Sequence, residues 1–506
     1  ESGVVGVHNG IIENYVELRE MLQKEHGIKF KSDTDTEVIA HLIAQFNEGD
    51  LVDAVYKATN MMRGAYAIAC ISADDQDHIV AVRKDAPLVA GIGNGFNFVA
   101  SDIPAMLKYV REVYFIENDE VVVLDKDDIK IYDADRNEVE RDVFHVDWDA
   151  DAAEKEGYDH FMIKEIYEQP KGIAETLQRR LDESGNVKLD FELSKEYLDS
   201  LTRIYIVACG TAYHAGLVGK YVIEKFAKIP VEVDVASEFK YRDPYVDDKT
   251  LFIAISQSGE TLDTLESMRA AKAKGARTIS VVNVVGSSVA RESDDVFYTW
   301  AGPEIAVAST KAYTTQLISM YLIALYMGQT RKTMSGEYYR YLVDELVNIP
   351  NKVEKILEEE YYIESIAKRV YKNNEVFFIG RGLDSAVSYE GSLKLKEISY
   401  INSFAIAAGE VKHGTIALME PGTLVIALAT QDALYEKMQS NIVEVQARGA
   451  LIIGVAKDTN KEIGKHADDT IYIPDCPDEI TPVLSAIPLQ LFAYHVAKLR
   501  GCNIDK

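Results

Sequence analysis

The sequence Leu251-Phe252-Ile253-Ala254-Ile255-Ser256-Gln257-Ser258-Gly259-Glu260-Thr261 decides the fold class. Its first five residues are apolar, as in a strand that is buried on both faces, and the small and hydroxyl residues after them are typical of a turn that opens a helix. Similar apolar segments alternate with helical patterns from residue 204 onward, at 204–208, 278–282, 376–379, 424–429 and 451–455. This alternation predicts parallel α/β domains.

These apolar segments belong to an internal repeat. Gly210 in IVACGT corresponds to Gly382 in FIGRGL at a spacing of 172 residues, and Glu238 corresponds to Glu410 at the same spacing. Three later landmarks are 174 residues apart: Gly275 with Gly449, Asp294-Asp295 with Asp468-Asp469, and Gln316-Leu317 with Gln490-Leu491. Five landmarks in one order predict a duplicated domain. The alternative is two unrelated α/β domains that share common strand–glycine–helix patterns.

The first part of the chain has a different pattern. Residues 3–7 predict an apolar strand that needs a neighbour on each side, and we expect that sequence before Glu1 supplies these neighbours. Helical spacing over 11–22 and a capping box at 34–37 then predict two helices. Short apolar runs with period two predict antiparallel strands at 65–72, 78–83, 97–100, 112–116, 120–124 and 129–132. The first domain is therefore predicted to be α+β and incomplete.

These patterns divide the chain into five regions. We predict an α+β domain at 1–146, a linker at 147–195 that begins with the acidic stretch 147–158, a first α/β domain at 196–335, a helical connector at 336–370 and a second α/β domain at 371–506.

Composition excludes several classes of protein. Lys and Arg number 54 and Asp and Glu number 82, so the net charge of −28 opposes binding to nucleic acid or anionic lipid. The longest uncharged apolar run, 317–328, is shorter than the roughly 18 residues of a membrane span, and no leader pattern opens the chain. The four cysteines are scattered, and no Cys or His cluster has metal-ligand spacing. We expect a cytoplasmic protein without a metal.

The turn at 256–261 predicts a phosphate site, because hydroxyl and backbone N–H groups at a helix N-terminus attract anions. A lone Ser or Thr would indicate only an N-cap. Several small and hydroxyl residues in one turn favour a phosphate, and the absence of a following lysine excludes a nucleotide-binding P-loop. The second copy has Thr430-Gln431-Asp432-Ala433 here, with no serine and an added acid. We therefore expect only the first copy to bind phosphate.

Candidate proton-transfer groups occur in the second copy. Lys394 and Glu397 are three residues apart and so share one helix face, and His413 follows in Gly409–Gly414. These groups suit proton transfer near a sugar carbonyl, and the alternative is a solvated helix with a structural histidine. Cys209 follows a strand at the edge where α/β sites form. We interpret it as a packing residue beside a ligand, with a nucleophile as the alternative.

Longer motifs resemble those of the glutamine–fructose-6-phosphate aminotransferase (isomerising) family, the glucosamine-6-phosphate synthases. They are HNGIIENY at 8–15, SDTDTEV at 32–38, KEIYEQP at 164–170, ACGT at 208–211, SQSGET at 256–261, VASTK at 307–311, KLKEISY at 394–400 and GEVKHG at 409–414. The resemblance covers the whole chain. It implies an N-terminal-nucleophile glutaminase domain followed by two sugar isomerase (SIS) domains that form a homodimer, and it implies no cofactor.

The resemblance also implies an activity, which is the conversion of fructose 6-phosphate and glutamine to glucosamine 6-phosphate and glutamate. This reaction is the first step of the hexosamine (UDP-N-acetylglucosamine) pathway. On this basis Asn9 and Gly10 match the glutaminase oxyanion hole, and Asp35 matches the residue that holds the amino group of glutamine. From residue type alone, an Asn-Gly pair indicates a hairpin turn and an Asp at a helix start indicates a cap.

The sugar site is matched residue by residue in the same way. Glu397 matches the base that moves a proton between C2 and C1, Lys394 an assisting lysine, and His413 a ring-opening histidine from the neighbouring subunit. The phosphate cradle is matched by Thr211, Ser256, Gln257, Ser258 and Thr261. Further sugar contacts are matched by Cys209, Gly210, Val307 and Ala212, where a serine is common in the family.

Two family features do not occur within residues 1–506. They are the N-terminal cysteine nucleophile and the C-terminal tail lysine that forms a Schiff base with the ketose. We therefore expect no glutaminase activity from residues 1–506 alone. Two alternative functions stay open at this point: a deglycase or deaminase built on the SIS pair, and a sugar-phosphate sensor without turnover.

Overall fold

The computed structural model describes residues 3–103, 105–146 and 155–506. The chain divides into two compact units, Glu1–Glu154 and Lys155–Lys506. Most of the acidic segment that we predict as a domain boundary, residues 147–154, lies outside the described residues.

The first unit is built from antiparallel sheets and three helices. Its helices are α1 (Tyr15–His26), α2 (Asp35–Phe46) and α3 (Leu51–Thr59). Its strands are β1 (Val4–Ile12), β2 (Gly64–Ser72), β3 (Asp75–Lys84), β4 (Val89–Ile92), β5 (Asn97–Ala100), β6 (Glu112–Phe115), β7 (Val121–Leu124), β8 (Ile129–Tyr132) and β9 (Phe144–His145). One sheet has the order β1-β2-β3-β7-β8 and the other β5-β4-β6-β9. The predicted α+β class with antiparallel strands is confirmed.

Several details of the first unit differ from the prediction, and strands β4 and β9 were not predicted. Strand β1 continues to Ile12 because residues 4–12 pair with β2, so α1 begins at Tyr15 and not near residue 11. Within the described residues β1 pairs with β2, so at least one of its neighbours comes from this chain and not from sequence before Glu1. Helix α3, the third after β1, was not predicted.

The predicted capping box at 34–37 does not form. Thr34 precedes α2 but makes no side-chain cap hydrogen bond. Glu37 accepts hydrogen bonds from the backbone N–H groups of Lys31, at 2.7 Å, and Ser32, at 2.6 Å. The carboxylate therefore fixes the loop before the helix, where more donors are within its reach than at residue 34.

The second unit contains two parallel five-stranded sheets. The first has β10 (Arg203–Ala208), β11 (Val231–Val235), β12 (Thr250–Ser256), β13 (Arg277–Val282) and β14 (Asp295–Tyr298), in the order β11-β10-β12-β13-β14. The second has β15 (Glu375–Gly380), β16 (Asn402–Ala407), β17 (Leu424–Leu428), β18 (Leu451–Lys457) and β19 (Asp469–Ile473), in the order β16-β15-β17-β18-β19. The two orders are the same, and the predicted parallel α/β class is confirmed.

Helices cover these sheets and connect them. They are α4 (Phe161–Tyr167), α5 (Gln169–Gln178), α6 (Lys195–Ser200), α7 (Gly210–Ala227), α8 (Ala236–Phe239), α9 (Leu262–Ala273), α10 (Ser288–Glu292), α11 (Lys311–Arg331), α12 (Gly336–Val347), α13 (Ile349–Leu357), α14 (Glu360–Val370), α15 (Leu383–Ser399), α16 (Tyr435–Gln446) and α17 (Thr481–Arg500). One hydrophobic core runs through both copies. Among the described residues, none of the helices combines the length and apolar character that crossing a bilayer requires.

The sequence landmarks have matching roles in the two copies. Gly210 and Gly382 open α7 and α15 with φ of 55° and 57°, which are values that favour glycine. A carboxylate oxygen of Asp294 accepts a hydrogen bond from the N–H of Thr278, and Asp468 accepts one from Ile452, each at 2.8 Å. The sequence repeat is therefore a structural repeat.

Candidate active site

The predicted phosphate turn is held in one shape by its own side chains. Ser256 Oγ lies 3.0 Å from Thr261 Oγ1 and accepts a hydrogen bond from the N–H of Gly259, also at 3.0 Å. Gly259 has φ of +65°, and a Cβ there would lie 2.0 Å from Ser287 Oγ. The carboxylate of Glu260 accepts a hydrogen bond from the N–H of Ser288 at 2.8 Å. The turn is therefore pre-organised, and only glycine fits at position 259.

This turn forms one wall of a cleft of about 270 Å³. Ten of the predicted sugar-site residues line the cleft: Cys209, Thr211, Ala212, Ser256, Gln257, Ser258, Thr261, Val307, Lys394 and Glu397. Five other residues also line it: Ile255, Glu304, Ala306, Ser309 and Gln316. The cleft takes its phosphate turn from the first copy and its lysine and glutamate from the second.

Lys394 and Glu397 form an ion pair on α15, with Nζ and Oε2 2.6 Å apart. The lysine side chain is 1% exposed and the glutamate side chain 37% exposed. Burial lowers the pKa of the Lys394 ammonium, but the charges of Glu390 and Glu397 outweigh burial and raise this pKa above its usual value. The site therefore holds a fixed cation beside a carboxylate that solvent or a ligand can reach.

Sequence reasoning missed Glu390, which lies one helical turn before Lys394. Its carboxylate is 3.6 Å from Lys394 Nζ, accepts a hydrogen bond from Thr211 Oγ1 at 3.1 Å and lies 2.7 Å from His214 Nδ1. Burial raises the pKa of Glu390, but Lys394 and His214 outweigh burial and lower it. This buried anion joins α15 of the second copy to α7 of the first. The spacing of four residues from Lys394 could have indicated it.

Two carboxylates accept hydrogen bonds from backbone N–H groups of the segment 305–312, part of which borders the cleft. Glu304 Oε1 accepts hydrogen bonds from the N–H groups of Thr310, at 2.8 Å, and Ala312, at 3.0 Å. Glu165 Oε1 accepts them from Ile305, at 2.6 Å, and Ala306, at 3.2 Å. Burial, with the nearby charge of Glu304, raises the pKa of Glu165 to about 8. Neither carboxylate was predicted.

Val307 lies within this segment and is 75% exposed. Cys209 is the half-buried residue that precedes α7. Burial, with a smaller effect of the charge of Asp263, raises the pKa of the Cys209 thiol. A raised thiol pKa disfavours the thiolate that a nucleophile needs, so the geometry favours the packing interpretation.

His413 is separated from the other predicted catalytic residues. It is the exposed last residue of a 3₁₀ helix, Ala408–His413, that follows β16 and buries Ala408 and Val411. It does not line the cleft of its own chain. Gly210, between the lining residues Cys209 and Thr211, shapes the start of α7 through its positive φ.

In the first unit, Asn9 and Gly10 lie within β1 and do not form a hairpin turn. Asn9 and His8 line a cavity of about 230 Å³. Gly10 has φ of +121°, and a Cβ there would lie 2.1 Å from the carbonyl oxygen of Ala65, so this close approach requires glycine. The carboxylate of Asp35 accepts a hydrogen bond from the N–H of Ile12 at 3.0 Å. The three predicted residues therefore lie around the end of β1.

Cys70 is the one cysteine between residues 1 and 154. It is buried in β2, and burial raises the pKa of its thiol to about 12. Across the described parts of both units, His, Cys, Asp and Glu side chains form no group of three or more with metal-binding geometry.

Comparison with known proteins identifies both units. Residues 197–326 and 369–500 match the SIS domain family, and residues 1–108 match a glutamine amidotransferase domain. The chain is 55% identical over 508 aligned positions to proteins from Clostridium tetani and Caldanaerobacter subterraneus that are named glutamine–fructose-6-phosphate aminotransferase [isomerizing]. In both comparisons the alignment covers 100% of this chain and 83% of the relative.

A solved structure of a C-terminal domain supports the same relationship for the second unit. The C-terminal domain of glucosamine-fructose-6-phosphate aminotransferase from Francisella tularensis is 41% identical, with a TM-score of 0.67. The match covers 70% of this chain and 99% of that domain. The paired SIS copies, the amidotransferase domain and the identity over the full length together place this chain in the glutamine–fructose-6-phosphate aminotransferase (isomerising) family.

Proposed function

We propose that the protein converts fructose 6-phosphate and glutamine to glucosamine 6-phosphate and glutamate, as a cytoplasmic homodimer. One observation carries the proposal: a single cleft combines a pre-organised anion turn, Ser256–Thr261, with the Lys394–Glu397 pair. A site for a phosphorylated sugar needs the first, and a proton shift along the sugar chain needs the second.

In this proposal the turn anchors the phosphate. Ser256, Ser258 and Thr261 supply hydroxyl groups, and Gln257 supplies its backbone N–H. Thr211 borders the cradle, and its hydroxyl donates a hydrogen bond to Glu390. Each charge-assisted hydrogen bond contributes about 1.5–3 kcal/mol, so three or four are enough for micromolar binding after the entropic cost. Cys209, Ala212 and Val307 shape the space for the sugar.

Glu397 is the proposed base that moves a proton between C2 and C1 and yields the aldose. Its partial exposure suits this role, because substrate must reach the carboxylate. Lys394 is the assisting lysine, since its buried ammonium lies 2.6 Å from the Glu397 carboxylate and can stabilise negative charge on a sugar oxygen. Glu390 positions Lys394 through their 3.6 Å contact.

His413 is the proposed ring-opening group, and it acts in the cleft of the neighbouring subunit. Its exposed position outside its own cleft supports this arrangement. Asn9, Gly10 and Asp35 form part of the proposed glutamine site, from which ammonia passes to the SIS pair. We further propose 1–146 as the glutaminase domain, 196–335 and 371–506 as the SIS domains, and 147–195 and 336–370 as their connections.

Ligand binding tests the anchoring step. Fructose 6-phosphate at about 100 times its dissociation constant should stabilise the protein by about 2.7 kcal/mol, whereas fructose should give no such shift. Equal thermal shifts with the two sugars would contradict the phosphate turn. Release of ammonia from glucosamine 6-phosphate without glutamine would favour a deaminase, and binding of the sugar phosphate without turnover by the intact gene product would favour a sensor.

Complementation tests the placement of His413. Glu397→Gln and His413→Ala each remove one group of a composite site. If the two groups come from different subunits, heterodimers of the variants contain one intact site and should recover part of the activity. No recovery in heterodimers confirmed by mass spectrometry would contradict the cross-subunit arrangement.

A further inference from the structure

The second copy contains a turn that corresponds to the phosphate turn of the first. Strands β12 and β17 occupy the same place in their sheets, and their registers against β10 and β15 align Leu251 with Leu424. Thr430 therefore aligns with Gln257 of the phosphate turn. This turn of the second copy lies against a carboxylate of its own chain.

Asp384 supplies that carboxylate. It is the second residue after Gly382, just as Ala212 is the second residue after Gly210. Asp384 is 2% exposed, and its Oδ2 accepts a hydrogen bond from the N–H of Thr430 at 2.8 Å while its Oδ1 accepts one from Thr430 Oγ1. Ala212 has no side-chain atom beyond Cβ, and it lines the open cleft.

Neighbouring residues complete the closure of the second copy. Lys457 Nζ lies 2.7 Å from a carboxylate oxygen of Asp432 and 2.6 Å from one of Asp478. The residue that aligns with Lys457 in the first copy is Asn283, which is uncharged. Gln431 Nε2 donates a hydrogen bond to the carbonyl oxygen of Asp478 at 2.9 Å. The polar groups of this turn are therefore satisfied within the chain.

We infer that Asp384 is a built-in anion that takes the place of a phosphate in the second copy and restricts sugar-phosphate binding to the first. Carboxylates and phosphates accept the same hydrogen bonds from the N–H and hydroxyl groups of such a turn. The inference rests on the proposed function, because the first copy shows where a phosphate would lie. Asp384 is thus a specificity-determining residue that never touches the substrate.

A count of phosphate sites tests this inference in the chain 1–506. Equilibrium dialysis with labelled inorganic phosphate at millimolar concentration measures the number of phosphates bound per chain. Asp384→Ala should bind two phosphates per chain, one in each copy. The unchanged protein and Asp384→Asn, which keeps the size of the side chain, should bind one. A folded Asp384→Ala protein that binds only one would overturn the inference.

The reciprocal change moves the anion to the first copy. Ala212→Asp should weaken fructose 6-phosphate binding by about 100-fold or more, because two negative groups would compete for one turn. Unchanged affinity would overturn the inference even if Asp384→Ala failed to fold. If the unchanged protein binds no fructose 6-phosphate, the proposed function fails. One site in the unchanged protein without a gain in Asp384→Ala contradicts only the present inference.

Discussion

The two SIS copies have one strand order and opposite surroundings at the carboxyl ends of their strands. In the first copy, the turn after β12 borders an open cleft. In the second copy, the turn after β17 is bonded to Asp384 and Gln431 reaches Asp478. The second copy nevertheless places Lys394 and Glu397 in the cleft of the first. The comparison shows that a shared fold does not imply a shared site. In the proposed function, the first copy anchors the phosphate and the second supplies the proton-transfer groups.

The largest expected effect is on the rate of the proposed proton transfer, which depends on the second copy. Glu397→Gln keeps the shape of the side chain and removes its basicity, and a positioned general base contributes about 10²–10⁴-fold to rate. Glucosamine 6-phosphate formation by the intact gene product should fall by this factor, while calorimetry should show unchanged fructose 6-phosphate binding. The exposed Glu436 on α16 is the matched control, and Glu436→Gln should keep full activity. Retained activity in Glu397→Gln would exclude it as the base.

The second prediction concerns the affinity for fructose 6-phosphate, which depends on the proposed phosphate turn of the first copy. Ser258→Ala should lower fructose 6-phosphate affinity about 10-fold or more, because a charge-assisted hydrogen bond contributes about 1.5–3 kcal/mol. Thr430→Val changes the corresponding turn of the second copy, and it should leave this affinity unchanged. Equal losses in both variants, measured by calorimetry, would show that both turns bind the ligand.

The third prediction concerns the pH dependence of the free energy of unfolding, to which Asp384 contributes and its counterpart Ala212 does not. Burial raises the pKa of Asp384 to about 6, and hydrogen bonds from Thr430 partly oppose this shift. Between about pH 4 and pH 6, Asp384 is protonated in the folded chain and ionised in the unfolded chain. Because the folded chain binds the extra proton, the free energy of unfolding falls as the pH rises through this range.

Asp384→Asn should remove that dependence, which amounts to about 1 kcal/mol per pH unit. Urea unfolding of both proteins at several pH values measures it. Parallel profiles for the two proteins would contradict the raised pKa, whatever the absolute stability of the variant.

The smallest expected effect concerns a feature that the copies share. Gly210 and Gly382 both have positive φ, so alanine at either position should cost about 1–2 kcal/mol of stability, with an added contact of 2.9 Å to Leu434 Cδ1 at Gly382. Gly336 begins α12 without positive φ and with open space around a Cβ, so Gly336→Ala should keep or raise stability. A cost at only one of the two repeat glycines in urea unfolding would show that the copies differ here as well.

In the two parallel sheets, the inner strands could be predicted from the sequence and the edge strands could not. The six strands predicted after residue 203 are the three inner strands of each sheet, where both faces are covered and the residues are apolar. The four edge strands, β11, β14, β16 and β19, were missed. In β11, Glu232 is exposed and Asp234 half-buried, so no continuous apolar run marks this strand.

The residues of the cleft could be predicted where the groups that act together are close in sequence. The turn at 256–261 and the Lys394–Glu397 pair are each contained within six residues, so residue type and spacing make them candidates. The family resemblance supplies the role of the pair. Asp384 and Glu165 act on backbone groups 46 and 140 residues away. No pattern in the sequence around either residue identifies such a distant partner, and only the fold brings them together.

The continuous core bears on how the two copies unfold. Helices α11 and α17 are buried along almost their entire length, and the core around them includes side chains of both sheets. Neither copy can expose its share of this core without uncovering that of the other, so we expect the pair to melt in one cooperative transition. A destabilising change far from the cleft, in either copy, would then reduce the population of assembled sites as a whole.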